Sequence, residues 1–412
     1  MFGKKSRAAV GVSLLSMVGL FGVTSASAGA STSGSPITIG FITSETGGAA
    51  SSYIGAQWGA QARIDALNAA GGVNGHKLKL DVLDDQTNPA ANYTDAQELV
   101  QSKNAFGVIE DSSLAFGAAK YLNQQGVPVT GAAIDGPEWG EQPNTNMFSV
   151  TPPSPTPVDG KYYTYDNTAK FLKDIGVTKL AGAVYNIQSA IQSMSSLFQS
   201  GVPLGIKNCY ENTTVPFGDV DFTATALSIK AAGCNGVIGV SLLATDIALS
   251  SAVKQDGINA KQLYYTAYDQ NLLNQPSSLH TMQGAYTTTA VDFGDPNAAA
   301  KTMLANLKKY TAFPGGIPSL NVVYGYASAD LMIKGLQLAG KNPTRNAFIT
   351  DLRKVGSYNV EGLLPSPVTF QHFGTVGMFP ATSCELIVQV KGHGYVPYNG
   401  NKPICGKRVA TS

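Results

Sequence analysis

The stretch GFITSETGGAASSYIGAQWGA, residues 40–60, joins two different patterns. An apolar run from Ile37 to Ile42 is typical of a buried β-strand, and it stops at a group of Gly, Ser and Thr residues. A helical pattern, with Trp58, Ala62 and Ala66 four residues apart, begins almost at once. A strand followed so closely by a helix, with small and hydroxyl-bearing residues between them, is typical of a ligand-binding turn in an α/β protein.

The composition of the 412 residues limits the class of protein. This length suits two lobes better than one ordinary domain. Hydrophobic residues make up 43% and charged residues only 13%, which excludes a disordered polyelectrolyte and supplies enough apolar surface for sizeable cores. The formal net charge is +1, without basic runs after the first residues, so nucleic acid is not expected as a partner.

The start of the chain predicts export. A positively charged beginning, an apolar run over 8–23 and small residues at 26–28 predict a signal peptide over residues 1–28. The alternative, a retained membrane anchor, would need a charged stop-transfer segment, which does not follow. The first cysteine is Cys209, so a lipid anchor has no acceptor thiol near the cleavage point. We therefore expect a periplasmic or extracellular protein that is not lipid-anchored.

Four cysteines remain, an even number in a chain predicted to be exported, and this favours disulfides. Three pairings exist, and Cys209–Cys234 with Cys384–Cys405 is favoured because each pair closes a local loop. A loop of this size contributes about 3 kcal/mol in the chain-entropy account. A metal site is the weaker alternative, since CxxC is absent from the sequence and the four His residues are scattered.

Strand-like and helix-like patterns alternate along the chain. In order, they predict a strand at 78–82, a helix from about 89, a strand at 106–109, a helix at 114–125 and a strand at 127–131. Four prolines between 151 and 157 then break the pattern. Beyond them we predict strands at 180–185, 206–210, 236–240 and 263–266, helices at 190–199, 222–230, 245–255, 298–310 and 321–338, and a β-rich tail after 362. This alternation predicts an α/β fold with two doubly wound parallel sheets.

Three strand ends carry polar or small residues. Ligands bind beyond the carboxyl ends of parallel strands, where helix N-termini present free N–H groups. The segment from Thr43 to Tyr53 has the composition of a binding loop, with an N-cap and surface turn as the alternative. Ser112 and Ser113 follow the third strand, where either can equally cap a helix, and Asp135 follows the fourth.

At this point the sequence resembles a known family. The segments ITIGFITSETGGAA (37–50), LNAAGGVNGHKLKLDVLDDQTNPA (67–90) and GVPVTGAA (126–133) are similar to the type I periplasmic binding proteins of the branched-chain amino acid (Leu/Ile/Val-binding) kind. The resemblance extends over essentially the whole mature chain and is strongest over 36–133. It implies two α/β lobes joined by three crossovers, which close as a monomer on a small ligand and dock on an ABC permease.

The resemblance also implies lobe boundaries and ligand contacts. Crossovers near 150, 290 and 358 give an N-terminal lobe of 36–150 plus 291–358 and a C-terminal lobe of 151–290 plus 359–412. The implied contacts are an aromatic wall at Tyr53, a carboxylate-binding loop at Ser112 and Ser113 (or Leu114, if the alignment shifts by one), backbone donors at Ala132 and Ala133, and an acidic ammonium partner at Asp269. A buried ammonium needs such a charge-assisted partner; the alternative for Asp269 is an exposed loop acid.

The sequence departs from the family pattern at the ligand. Asp135 stands where the family has a threonine, and two acids near an ammonium would suit a more positive ligand, unless one of them is protonated or turned outward. The family's second-lobe tyrosines fall on Ala190 and on Leu242 or Leu243, which leaves more room. We therefore expect a small polar or amphipathic solute, an amino acid or alternatively an amide or organic acid.

An enzyme is the main rival class, and its signatures are missing from the sequence. GxGxxG, GxxxxGK[ST], GxSxG and HExxH do not occur, and this predicts a protein without cofactor or catalytic activity. A ligand-sensing receptor module is a second alternative, because the same two lobes can pass a binding signal to a membrane receptor.

Overall fold

The computed structural model describes residues 34–134, 136–153 and 156–412. The predicted signal peptide, 1–28, lies outside the described residues. The strands are β1 Gly34–Thr43, β2 His76–Asp84, β3 Gly107–Asp111, β4 Val129–Gly131, β5 Met147–Ser149, β6 Tyr162–Tyr165, β7 Lys179–Tyr185, β8 Lys207–Val215, β9 Gly236–Val240, β10 Lys261–Tyr264, β11 Tyr286–Thr289, β12 Thr382–Lys391, β13 Gly394–Pro397 and β14 Ile404–Thr411. The helices are α1 Ala50–Tyr53, α2 Ala56–Ala69, α3 Pro89–Gln97, α4 Phe116–Gln124, α5 Asn167–Asp174, α6 Gln188–Gly201, α7 Thr223–Ala232, α8 Leu243–Gln255, α9 Gln270–Leu273, α10 Pro276–Met282, α11 Ala298–Tyr310, α12 Leu320–Ala339 and α13 Arg345–Leu352.

The first sheet is parallel, with strand order β2-β1-β3-β4-β5. The order reverses beside β1, where the last residue of that strand, Thr43, pairs with both Asp84 and Asp111. The carboxyl ends of three strands therefore lie at one edge, as the alternating pattern predicts. We call this sheet and the helices that cover it the first lobe.

Both faces of the first sheet are buried, which explains the continuous apolar run of β1. Ile39 and Phe41 pack into a core shared with α2, α11, α12 and α13. Ile42, on the opposite face, packs into a second core with α3 and α4. A strand covered on both faces has no solvent side, so it shows no polar alternation.

Helices α2 and α12 approach each other backbone to backbone. A Cβ atom added at Gly59 of α2 would lie 2.0 Å from the carbonyl oxygen of Val322. In the same way, a Cβ atom at Gly325 of α12 would lie 2.5 Å from the carbonyl oxygen of Ala56. Only glycine fits at these two positions, and together they fix the distance between the helices.

The second sheet has nine strands in the described part of the chain, in the order β6-β14-β12-β11-β10-β9-β7-β8 with β13 beside β12. Strands β8, β7, β9, β10 and β11 are parallel, whereas β12, β13, β14 and β6 are antiparallel. The β-rich tail thus makes this sheet mixed, because the short turn between β12 and β13 can join only an antiparallel pair. We call this sheet and its helices the second lobe.

Three chain passages connect the lobes: after β5, after β11 and before β12. The last passage lies beyond 358, since Tyr358, Leu364 and Phe370 still pack into the core of the first lobe. Two α/β lobes with three crossovers confirm the predicted fold class. The exact lobe boundaries stay a prediction, because residues of the passages line the space between the cores.

Two disulfides join the predicted pairs. Cys209 in β8 is bonded to Cys234, which follows α7, and Cys384 in β12 is bonded to Cys405, its register partner in β14. The favoured pairing is confirmed. No helix among the described residues has the length and apolar character needed to span a bilayer.

Candidate functional site

A cavity of about 370 Å³ lies between the two lobes, and we call it the cleft cavity. Its wall takes residues from the strand ends of both lobes and from α12. The lining includes Ser52, Tyr53, Ser113, Ala133, Tyr163, Tyr165, Thr168, Tyr185, Ala190, Phe217, Ser241, Leu242, Tyr265, Thr266, Tyr324 and Glu385. The volume falls within the range typical of small-molecule sites.

The buried carboxylate of Asp85 organises the strand ends of the first lobe. Ser44 Oγ donates to Asp85 Oδ1 at 2.6 Å, and Ser112 Oγ donates to Asp85 Oδ2 at 2.5 Å. Asn92 Nδ2 donates to the same Oδ2 at 3.2 Å. Ser112 is therefore fixed behind the cleft cavity and does not line it, although its neighbour Ser113 does.

In the hydroxyl-rich loop of residues 43–53, hydrogen bonds join the loop to the residues at the end of β2. Thr46 Oγ1 donates to Asp84 Oδ2 at 2.6 Å, and Thr87 Oγ1 donates to the carbonyl of Thr46 at 2.9 Å. Gly47 has a φ of +85°, and a Cβ there would lie 2.3 Å from the backbone oxygen of Gln86. The loop is thus held against the end of β2, and only its last residues reach the cavity.

Those last residues, in α1, connect the two lobes. The hydroxyl of Tyr53 is 2.6 Å from Ser113 Oγ, which joins two of the predicted contact residues. The backbone N–H of Leu243, in the second lobe, donates to Ser52 Oγ at 3.3 Å. Asn321 Nδ2 of α12 donates to the carbonyl of Ser52 at 2.8 Å. Helix α1 therefore contacts the second lobe directly.

The predicted backbone donors lie at the end of β4. The N–H of Ala133, on the cavity wall, donates to Ser149 Oγ at 2.8 Å and to Thr151 Oγ1 at 3.0 Å. Ala132 is buried in the core of the first lobe and does not line the cavity. Asp135 lies outside the described residues.

A second buried carboxylate, Asp246, organises the strand ends of the second lobe. Ser241 Oγ donates to Asp246 Oδ1, and Thr266 Oγ1 donates to Asp246 Oδ2 at 2.9 Å. Burial raises the pKa of Asp246 to about 7, although these hydrogen bonds lower it. Both hydroxyl groups line the cleft cavity, so Asp246 orients part of its wall.

Aromatic side chains cover much of the cavity wall, but not at the positions that the resemblance implies. Ala190 and Leu242 line the cavity as small and aliphatic residues. Tyr185 and Phe217 form an aromatic wall in the same lobe, stacked with ring centroids 4.4 Å apart. The hydroxyl group of Tyr185 lies 2.6 Å from Thr245 Oγ1, and this hydrogen bond fixes the tyrosine ring.

Asp269, the acid implied as the ammonium partner, does not line the cleft cavity. It is buried at the N-terminus of α9, where Oδ1 accepts the backbone N–H of Asn271 at 2.7 Å. Burial raises the pKa of Asp269 to about 6. The side chain is therefore neither an exposed loop acid nor part of the cavity wall, and its contact with a ligand stays a prediction.

Sequence reasoning missed Glu385, which stands on the cavity wall in β12. Thr168 Oγ1 donates to Glu385 Oε1 at 2.7 Å, and the hydroxyl of Tyr265 lies 3.2 Å from the same threonine oxygen. Burial raises the pKa of Glu385 to about 7, against a lowering effect of the Thr168 hydroxyl. The one available signal was an acid beside an apolar strand segment, Leu386 to Val388.

Comparison with known proteins agrees with this architecture. The family model of the periplasmic binding proteins matches residues 36–394. The chain belongs to the periplasmic binding protein family. Members of this family are solute-binding proteins and not enzymes, and the family indicates an exported protein. Among the described residues, no group of three or more His, Cys, Asp or Glu is placed to hold a metal ion.

Individual relatives of this periplasmic binding protein have different ligands in their names. The Leu/Ile/Val-binding protein homolog 3 of Brucella melitensis is 25% identical over 308 residues, which are 74% of this chain and 79% of that protein. The leucine binding protein LivK of Thermotoga maritima has a TM-score of 0.72 at 15% identity and covers 89% of this chain and 98% of its own.

A third relative carries a non-amino-acid ligand. This solute binding protein of an ABC transporter from R. palustris, solved in complex with benzoate, has a TM-score of 0.70 at 14% identity, over 91% of this chain and 98% of its own. At such identities the two solved structures show a shared fold. The ligand of this chain has to be inferred from its own cavity.

Proposed function

We propose that this protein is an extracytoplasmic receptor that captures an amino acid or a related amphipathic solute in the cleft cavity and delivers it to an ABC permease. The observation that carries the proposal is the cavity itself, because its wall takes side chains from the strand ends of both lobes. A site divided between two lobes is complete only when they are together, so binding and lobe closure are coupled.

The contacts across the cleft support a closing motion. Ser52 of the first lobe accepts the N–H of Leu243 of the second. A Cβ built on Gly48 would lie 3.5 Å from Cβ of Phe217, so this aromatic residue closes the cavity against the first lobe. A ligand that touches both lobes adds contacts only in this arrangement and shifts the population towards it.

Among the predicted site residues, we propose Tyr53, Ser113 and Ala133 as the first-lobe contacts of the solute. They share the cavity wall, and the hydrogen bond between Tyr53 and Ser113 holds two hydroxyl groups at one end of it. Ser112 lies behind this wall, where its hydrogen bond to Asp85 fixes the strand end, and Ala132 packs in the core of the first lobe. The closed pair of lobes then presents one combined surface to the permease, and the receptor works as a monomer.

A thermal-shift screen tests the function. Residues 29–412 would be heated with amino acids, amines, amides, organic acids and sugars in turn. A ligand at a thousand times its Kd should stabilise the folded protein by about 4 kcal/mol. A rise of the melting temperature with one chemical class is the expected result, and a flat response to all classes would contradict a solute-binding role.

A further inference from the structure

Glu385 has an unusual position in the cleft cavity. Among the cavity-lining side chains of the described residues, it is the one carboxylate, and none is Lys, Arg or His. It also lines a neighbouring cavity of about 240 Å³ between the chain passages, which shares Thr151, Tyr265 and Tyr324 with the first. Glu385 thus stands where the two cavities meet, within reach of a ligand in either one.

Three hydroxyl groups of the cavity wall are arranged as acceptors towards a ligand. Ser241 and Thr266 donate their protons to Asp246, and Thr168 donates its proton to Glu385. Once these protons are committed to carboxylates, the oxygen lone pairs remain for a ligand that donates hydrogen bonds. A protonated amine is such a ligand, with N–H donors and no acceptor.

The rest of the wall suits an apolar body next to a positive charge. The aromatic residues Tyr163, Tyr185, Phe217 and Tyr265 line the cavity. Aromatic rings pack against apolar groups, and their faces attract cations. A ligand with only a carboxylate would face Glu385 without a cationic side chain of the described lining to compensate, which is unfavourable in a partly desolvated site.

We propose that Glu385 recognises a protonated amine, and that the cleft cavity takes an amphipathic amine whose apolar body lies among the aromatic side chains. This inference rests on the solute-binding function proposed above and names its ligand class. A carboxylate on the ligand is not required. An amino acid would fit with its carboxylate at Tyr53 and Ser113, at the far lobe from Glu385.

Ionisation of Glu385 then governs binding. The titratable groups that act on it from the neighbouring elements are the phenols of Tyr265, after β10, and Tyr324, in α12. Burial raises the pKa of both phenols above the ordinary value, so they stay neutral between pH 5 and 8. Since the pKa of Glu385 is about 7, the carboxylate gains its charge within this range.

The test compares four probes that share a phenyl ring on a short chain and differ in their polar groups. They are 2-phenylethylamine (amine), 2-phenylethanol (alcohol), 3-phenylpropanoate (carboxylate) and phenylalanine (amine and carboxylate). Their Kd values would be measured by calorimetry on the wild type and on Glu385→Gln, with far-UV circular dichroism to verify folding. Glu141→Gln, the same substitution at an exposed and remote acid, is the matched control. Asp269→Asn removes the acid that the resemblance implies as the ammonium partner, and Asp135→Asn removes the acid that stands where the family has a threonine.

We expect 2-phenylethylamine to bind the wild type more tightly than the alcohol and the acid. Glu385→Gln should weaken amine binding at least about tenfold, the usual effect of losing a charge-assisted hydrogen bond. Wild-type affinity for the amine should rise more than about tenfold from pH 5.5 to pH 8. The Glu385→Gln variant should lose this pH dependence of amine affinity. If Glu385 had a purely structural role, the variant would keep the pH dependence of the wild type.

Three results would overturn the proposal in distinguishable ways. Equal amine binding by wild type and Glu385→Gln, or a loss confined to Asp135→Asn or Asp269→Asn, removes Glu385 as the recognition group. Preference for the acid or the alcohol over the amine removes the ligand class, while solute binding stands. If all four probes and the whole thermal-shift screen fail, both the ligand class and the proposed function are wrong.

Discussion

Three carboxylates hold the cavity wall in this protein, Asp85 and Asp246 buried and Glu385 half-buried, and their side-chain partners are neutral donors. Asp85 accepts Ser44 and Ser112, Asp246 accepts Ser241 and Thr266, and Glu385 accepts Thr168. Hydroxyl groups stabilise a buried carboxylate less than a cation would, so burial dominates the pKa of Asp246 and of Glu385. Asp246 and Glu385 therefore link the site to pH.

Asp246 contributes to the pH dependence of stability. Its pKa is about 7 in the folded protein, against 3.8 for the unperturbed group. The folded state therefore holds the proton more tightly, and the resulting stabilisation is complete below about pH 4 and is lost as the pH rises to 7. We expect the free energy of unfolding to fall by up to a few kcal/mol between pH 5 and pH 8.

Urea unfolding of Asp246→Asn at both pH values measures this contribution. The amide keeps the shape of the protonated acid but cannot ionise, so the variant should lose less stability than the wild type over the same range. Asp159→Asn, at an exposed loop position, is the control and should follow the wild type. Equal pH slopes for Asp246→Asn and the wild type would contradict the assignment.

Among the elements, the contact between α2 and α12 is the tightest constraint. Gly59→Ala would place a methyl group 2.0 Å from the backbone oxygen of Val322, so the helices have to separate. We expect a loss of about 1–3 kcal/mol in the free energy of unfolding, as for other overpacked sites. Gly394→Ala is the control, because a Cβ there has no atom within 4 Å; a similar loss in both variants would contradict the argument.

Elements with a strong local pattern could be predicted from the sequence. Strand β1 and the long helix α12 lie within a few residues of their predicted positions, because burial on both faces or a long apolar repeat marks them clearly. Strands β5 and β6 were missed, since three or four residues carry too little periodicity. The antiparallel order of the tail strands depends on long-range pairing, which a local pattern does not contain.

Across the whole molecule, Phe217 is the residue that connects the cleft cavity with the lobe closure proposed above. It stacks on Tyr185 and lies against Gly48 of the other lobe. Phe217→Ala should weaken binding of the solute found in the screen by about fivefold to 150-fold, since an aromatic contact contributes about 1–3 kcal/mol. Calorimetry measures the loss, and small-angle scattering should show less ligand-induced compaction than in the wild type.

The control for this variant is Phe116→Ala, at an exposed phenylalanine in the first lobe away from the cleft cavity. It should bind and compact as the wild type does. Full ligand-induced compaction in Phe217→Ala would show that the lobes close without this contact, and the proposed role of Phe217 would be wrong.

In the candidate site, the sequence and the resemblance pointed to positions of the first lobe and, in the second lobe, to Ala190 and Leu242 on the cavity wall. Tyr53, Ser113 and Ala133 follow strands that the sequence already marks, and the structure gathers them on one cavity wall. Glu385 enters the site only because the third passage returns the chain to the second sheet as β12. The position of Glu385 in the site depends on the pairing of β12 with distant strands, and the residues next to it in the sequence do not predict that position.

The disulfide between Cys384 and Cys405 has a consequence for timing. It ties β12 to β14 one residue before Glu385, so the strand that carries this carboxylate is cross-linked only in the oxidised protein. In the reducing cytoplasm both sulfur atoms remain thiols. A chain that has not met an oxidising compartment therefore holds this strand pair by backbone pairing alone, without the constraint that the cross-link places on the unfolded state.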